Sequence, residues 1–202
     1  MDTNSQDMQR ILDSQKKHFI KVGAPSIELR VDRLNRLKNL IMENRYDFVD
    51  ALNEDYGNRS KNTSIMTDAY SIIPDINNAI KNIKKWTKVE KRSSNFPFGL
   101  LGAKSYVKYE PLGTVGMISP WNFPVNLSFG PLAAIFAAGN QVMHKPSELT
   151  PITSDLIKSL CDKAYDENEF ATSGPPKKVA NSFSSYALSQ RLLIRSEVMG
   201  VN

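Results

Sequence analysis

The stretch Glu110–Pro151, EPLGTVGMISPWNFPVNLSFGPLAAIFAAGNQVMHKPSELTP, constrains the fold more than any other part of the chain. Val115, Met117 and Ile118 form a short apolar run between Gly113 and Pro120, the pattern of a buried strand. A turn over Ser119–Pro124 leads into Leu127–Ala138, which is apolar, rich in alanine and followed by Gly139. That pattern predicts a buried helix with a glycine cap. Gln141–His144 reads as a second strand running into Lys145-Pro146-Ser147-Glu148, and Pro151–Thr153 opens another helix. Strand, helix, strand and helix in so short a span predict the start of a parallel α/β sheet. In such sheets ligands lie beyond the carboxyl ends of the strands. Asn122, Lys145, Ser147 and Glu148 all fall at or just past those ends.

The chain before this stretch reads as helical scaffold, a region spanning residues 1–93. Met8, Ile11, Leu12 and Phe19 fit a first amphipathic helix, stopped by Gly23 and Pro25. Ser26 suits the N-cap of a second, along which Ile27, Val31, Leu34, Leu37 and Ile41 recur at near-helical spacing. Phe48, Val49, Leu52 and Tyr56 mark a third helix, ended at Gly57. A fourth spans about Thr63–Thr87 with a stripe of isoleucines, and Pro74 should begin or kink it. No residue before Ser94 is expected to carry chemistry. Residues 94–113 form a linker and a strand over Tyr106–Glu110. Residues 114–171 are the α/β portion, and 172–202 a tail of different character that starts with the breaker cluster Gly174–Lys178.

Composition narrows the function classes. With 41% hydrophobic residues the chain has enough apolar content for a core, and its 23% charged residues suit an ordinary globular protein. Six basic residues between Lys81 and Arg92, against Glu90 alone, read as a solvated helix face. No nucleic-acid module accompanies them, so no nucleic-acid partner is expected despite the net charge of +5. No apolar run reaches the length of a membrane helix and the N-terminus is polar, so no membrane partner and a cytoplasmic location are expected. The single cysteine, Cys161, excludes an internal disulfide and a cysteine-rich zinc site, and no metal is expected. It falls on the apolar face of the Pro151–Tyr165 helix with Leu156, Ile157, Leu160 and Ala164, the position of a core thiol.

Pro120-Trp121-Asn122-Phe123-Pro124, followed by Lys145-Pro146-Ser147-Glu148, resembles the NAD(P)-dependent aldehyde dehydrogenases. The run Phe96–Ala103, FPFGLLGA, together with Glu110–Pro151, is most similar to the coniferyl aldehyde dehydrogenase branch, and the likeness extends from about Ile27 to Ala171. The resemblance implies N-terminal helices followed by the first strands and helices of a Rossmann-like sheet, an incomplete version of that family's fold. It implies NAD-dependent oxidation of an aldehyde to the acid. In that chemistry a cysteine thiolate attacks the carbonyl, and a water activated by a glutamate later releases the acid. Asn122 matches the amide that donates to the developing oxyanion. Lys145 and Glu148, with Ser147 between them, match the grip on the adenine-side ribose, while Ser119 and Trp121 fall where backbone lines the nicotinamide half. A carboxylate at Glu148 favours NAD, and Lys145 would offset repulsion of the extra phosphate of NADP, so both cofactors stay open. The Tyr106–Glu110 strand matches an arm used in homo-oligomer assembly, and its partner strand is expected from sequence the chain does not contain.

The resemblance also implies parts with no match here. Neither the catalytic cysteine nor the general-base glutamate of the family aligns with any residue. Phe183–Ser185 and Leu192–Ile194 are faint echoes of the family's strand and phosphate loop, but Arg195 and Ser196 stand where a Thr-Gly-Ser run belongs. The tail reads as eroded or frame-shifted, and the polypeptide is not expected to turn over by itself. Two other functions fit the same residues. One is a catalytically dead remnant or subunit that binds a full-length relative; the other is a small nucleotide-binding or basic interaction protein.

Overall fold

Local sequence punctuation sets most of the helix boundaries. In the computed structural model, which describes residues 3–98, 100–173 and the backbone of 193–195, α1 spans Thr3–Val22 and stops at Gly23, whose φ is +78°. The Ser26 hydroxyl accepts from Leu29 N and starts α2, Ile27–Glu43. Helix α3, Arg45–Tyr56, ends at Gly57, also left-handed. The predicted fourth helix is broken. It runs as a short α4, Lys61–Ser64, a π-helical turn at Ile65–Ala69, a 3₁₀ turn at Tyr70–Ile72, and then α5, Ile73–Trp86, with Pro74 in its first turn. The cluster Gly174–Lys178 and the echo at Phe183–Ser185 lie outside the described residues.

Two strands follow, β1 at Glu90–Arg92 and β2 at Ser105–Val107, paired antiparallel with Lys91 opposite Tyr106. This corrects the expectation for the arm. The strand predicted over Tyr106–Glu110 is shorter, begins a residue earlier, and finds its partner within the chain. Glu90–Arg92 lacks apolar alternation, so nothing in its composition marks a strand.

The α/β portion then builds a four-stranded sheet in the order β5-β4-β3-β6. Strand β3, Thr114–Ile118, is parallel to β4, Gln141–Lys145, with Val115 opposite Val142 and Ile118 opposite Lys145. Strand β5, Phe170–Thr172, extends the sheet beyond β4, and β6, Leu193–Arg195, pairs with β3 on its other side. Of the faint echo at Leu192–Ile194, Leu193 and Ile194 thus lie in a strand in backbone terms, and β3 is flanked on both sides. Helix α6, Pro124–Ala138, begins three residues before the predicted Leu127, because Pro124 is well suited to a first helical turn. Helix α7 spans Pro151–Ala164.

Alternation along the strands separates two faces. Val115, Met117, Val142 and Phe170 point into the main core with Leu34, Leu37, Phe48, Ile76, Phe129 and Phe136. Met143 and Ala171 face the other way, where Met8 and Ile11 of α1 cover them. Gly139 closes α6 at φ +88°, and Arg30 caps that end by donating to the carbonyls of Ala137 and Ala138 at 3.3 and 3.2 Å. A Cβ on Gly139 would stand 2.6 Å from Arg30 Cζ, whereas one on Gly57 would meet nothing within 4 Å. Gly57→Ala should therefore lose only the left-handed backbone preference, about 1–2 kcal/mol. Gly139→Ala should lose clearly more in a urea unfolding series, and equal losses would show that Arg30 yields freely.

Candidate functional site

The carboxyl ends of β3 and β4 lie side by side, and Ser119 N donates to Lys145 O at 3.0 Å to extend their ladder. Past that point one chain turns through Ser119–Phe123 into α6 and the other through Pro146–Thr150 into α7. Lys145 is buried, and its Nζ donates to Pro146 O at 3.0 Å and to Glu148 Oε2 at 2.7 Å. The hydrogen bond from Lys145 is the main reason the Glu148 carboxyl sits below its ordinary range. Glu148 is half-buried, so this carboxylate is charged, oriented and still open to solvent on one side. The Ser147 hydroxyl accepts from Leu149 N, and its carbonyl accepts from Ser154 Oγ, so its visible role is to shape the turn.

Ser119 is buried and ties three elements together. Pro131 stands inside α6 and has no N–H to serve the carbonyl four residues earlier. That carbonyl, Leu127 O, accepts instead from the Ser119 hydroxyl at 3.1 Å. A hydroxyl has one proton, so at its second contact, 2.9 Å, Ser119 Oγ accepts from His144 Nε2. His144 thus carries its proton on Nε2, and its Nδ1 has no partner among the described residues. Burial, aided by the neighbouring Lys145 charge, lowers the imidazole pKa to about 3, so the ring is neutral.

The Trp121–Phe123 turn is held from the helical side. Tyr56 donates its hydroxyl to Trp121 O, and Arg59 Nη1 donates to Asn122 O at 3.2 Å. The Arg59 guanidinium lies over Tyr56 and Phe123, 5.0 and 5.1 Å from their ring centroids, and is paired with Asp68 at 2.7 Å. Trp121 remains 50% exposed and Asn122 half-buried. The side-chain amide of Asn122 makes no hydrogen bond within the described residues, while its backbone carbonyl is fixed.

Both helices that leave the sheet ends have carboxylates at their N-termini. Asp68 Oδ1 accepts from Asn126 N at 3.4 Å, and Asp55 accepts from Ile152 N and Thr153 N at 3.0 and 2.8 Å. An added anion at either terminus would meet a negative charge already in place. Cys161 is buried, and burial pushes its thiol up, away from the thiolate. Among the described residues there is no cluster of three His, Cys, Asp or Glu side chains fit to hold a metal, and no helix is long and apolar enough to cross a membrane.

The predicted residues Ser119, Trp121, Asn122, Lys145, Ser147 and Glu148 thus lie along two neighbouring strand ends. Tyr56 reads in the sequence only as part of the third helix's apolar stripe, and Arg59, Asp68, Asp55 and His144 carry no site role in it. Only His144 has a local signature, as a polar ring directly after the apolar pair Val142–Met143 in β4.

A parallel sheet with polar residues past its central strand ends, flanked by helices, is the framework of a dinucleotide-binding α/β protein. The chain belongs to the aldehyde dehydrogenase family, whose family model matches residues 1–200. It is 42% identical over 187 residues to a probable coniferyl aldehyde dehydrogenase of Caulobacter vibrioides, covering 92% of this chain and 39% of that protein. It is also 42% identical over 174 residues to the coniferyl aldehyde dehydrogenase of Pseudomonas sp. strain HR199, covering 86% of this chain and 35% of that one. The solved substrate-bound AldH of Staphylococcus aureus superposes with a TM-score of 0.80 at 27% identity, over 92% of this chain and 44% of its own. The chain therefore spans about two fifths of the length of these relatives. Members of the family use NAD or NADP, bind aldehydes and act as oligomers.

Proposed function

We propose that these residues form the cofactor-binding part of an NAD-dependent oxidation of an aromatic aldehyde of the coniferaldehyde type. The observation that carries the reading is the Lys145–Glu148 pair, buried on one side and open on the other at the carboxyl end of β4. NAD, when bound, supplies the acceptor for the hydride that leaves the substrate carbon. Glu148 accepts from the adenine-side ribose hydroxyls, and Lys145 holds that carboxylate ionised and donates from the same corner. Ser119 and Trp121 present backbone to the nicotinamide half. The Asn122 amide, without a partner in the described chain, donates to the oxygen that gains charge when the carbonyl is attacked. The fit is supported by these spare valences, one on the Asn122 amide and one on the open side of Glu148. The buried Cys161 is no nucleophile, so the 202 residues bind and orient without supplying the attacking thiolate. The aromatic aldehyde is suggested by the names of the 42%-identical relatives. Homo-oligomer formation through the β1–β2 arm and a cytoplasmic setting belong to the same reading.

Neither α6 nor α7 offers a free N-terminus to the pyrophosphate, so binding by this chain should be weak, about millimolar. Calorimetric titration with NAD tests this. Glu148→Ala should weaken binding by roughly tenfold or more, the loss of one charge-assisted hydrogen bond. Glu148→Gln should narrow the preference for NAD over NADP. Micromolar binding indifferent to Glu148 would place the cofactor elsewhere.

A further inference from the structure

We propose that Arg59 is the positioning residue of this site. Sandwiched between Tyr56 and Phe123 and anchored on Asp68, it fixes the Asn122 carbonyl and so the orientation of the Asn122 amide and the nicotinamide-side turn. The inference rests on the cofactor reading above and extends it to a residue that never touches the ligand.

The turn needs such a support because Trp121 O and Asn122 O lie between the sheet and α6 and enter neither ladder. They accept instead from Tyr56 and Arg59. Arg59 suits the task for reasons of shape. Its planar fork points Nη2 at Asp68 Oδ2, 2.7 Å away, while Nη1 reaches Asn122 O, and its faces stack on two rings. A lysine ammonium is a compact point charge, so it would neither stack between two rings nor hold these acceptors in the fixed planar spread of a guanidinium.

Asp68 gives the device its rigidity. The π-helical turn Ile65–Ala69 widens the chain there and brings the carboxylate to the start of α6. One oxygen holds Arg59 and also accepts from Thr67 Oγ1 at 3.2 Å, while the other accepts from Asn126 N. Asn126 in turn donates its side-chain amide to Thr67 O and Ser71 Oγ at 2.7 and 2.6 Å. The irregular segment and the first turn of α6 are therefore laced together, with Asn122 between α6 and the sheet. Movement of the guanidinium would be transmitted to the Asn122 backbone within one hydrogen bond.

The test compares the wild-type chain with Arg59→Lys and Arg59→Met, once thermal unfolding has shown that each variant is folded. Peptide-level hydrogen exchange should accelerate roughly tenfold over residues 121–126 in both variants and stay unchanged over 141–145. Titrations with NAD and with ADP-ribose, which lacks the nicotinamide, form the second arm. NAD affinity should fall roughly tenfold while ADP-ribose affinity is retained, because Lys145 and Glu148 are untouched. Unchanged exchange over 121–126 overturns the proposal, and so does an equal fall for both ligands, which marks a general structural role. If the wild-type chain binds neither ligand, the cofactor reading fails, and the exchange arm alone then decides whether Arg59 holds the turn.

Discussion

Acidification below pH 6.5 should destabilise the protein before most of its carboxylates begin to titrate. The group responsible is His144, whose folded pKa is pushed down to about 3 while the unfolded chain keeps the ordinary value of 6.5. Above pH 6.5 neither state binds the proton. Below it the unfolded chain takes up a proton that the folded one refuses, so stability is lost as pH falls through that window. The slope approaches about 1.4 kcal/mol per pH unit, and traversing the whole window would cost roughly 5 kcal/mol. Urea unfolding at pH 7.5, 6.5 and 5.5 reads this directly. In His144→Leu most of the slope between pH 6.5 and 5.5 should disappear, whatever the overall stability of the variant. A slope that persists would assign the effect to another group.

A large loss of stability is expected from deleting the Glu169 side chain. Its Oε1 accepts from Arg33 Nε and Arg36 Nη2, both at 2.9 Å, and its Oε2 from Arg36 Nη1 at 2.8 Å. Burial pushes this carboxyl up, but the hydrogen bonds from Arg36 and Arg33 outweigh it and hold the pKa at about 2. The Arg33 side chain is only 5% exposed, so Glu169→Ala leaves a guanidinium buried without its counter-charge. Breaking a buried pair in this way costs about 3–5 kcal/mol. Replacing Arg33 as well, in Arg33→Met with Glu169→Leu, should recover part of the loss, since no buried guanidinium is then orphaned and Arg36 keeps Asp32 and Ala164 O as acceptors. Urea midpoints of the single and double variants check both statements. A single-variant loss under about 1 kcal/mol would mean that the pair is solvated rather than buried. Glu169 also adds its own acid sensitivity. Its stabilisation is complete above pH 4.5 and lost as pH falls towards 2, a window largely below that of His144.

What could be read in the sequence was local chemistry. The apolar run at Val115–Ile118, the Ser26 cap and the stops at Gly23, Gly57 and Gly139 each act within a few residues, and each appears where expected. Glu90–Arg92 was hidden because a short charged strand carries no period-2 signal and is recognised only by its partner. The broken helix after Lys61 was hidden because its π-turn serves Asp68 in reaching Arg59 and Asn126, which lie far apart in sequence. The same holds at the site. Lys145 and Glu148 share one turn, and their pairing is local. The supports of Trp121 and Asn122 come from Tyr56 and Arg59, more than sixty residues earlier, and no spacing rule connects them. The role of His144 is not local either, because its partner Ser119 is on another strand end, and the carbonyl that orders both is released by Pro131.

The distance along the chain between α1, α2 and the entry to β5 also sets the timing of assembly. Arg10 reaches Glu167 across 157 positions, Gln15 reaches Glu167 O across 152, and Arg33 reaches Glu169 across 136. At a synthesis rate of roughly 5–20 residues per second, the first two helices wait on the order of ten seconds for these partners. Through that interval the apolar side of Met8 and Ile11 lacks the completed Met143–Ala171 face that it covers in the finished sheet. Closing contacts of such separation makes folding intrinsically slow. The nascent chain is therefore most exposed to capture by chaperones or by its own copies while the sheet is still being made.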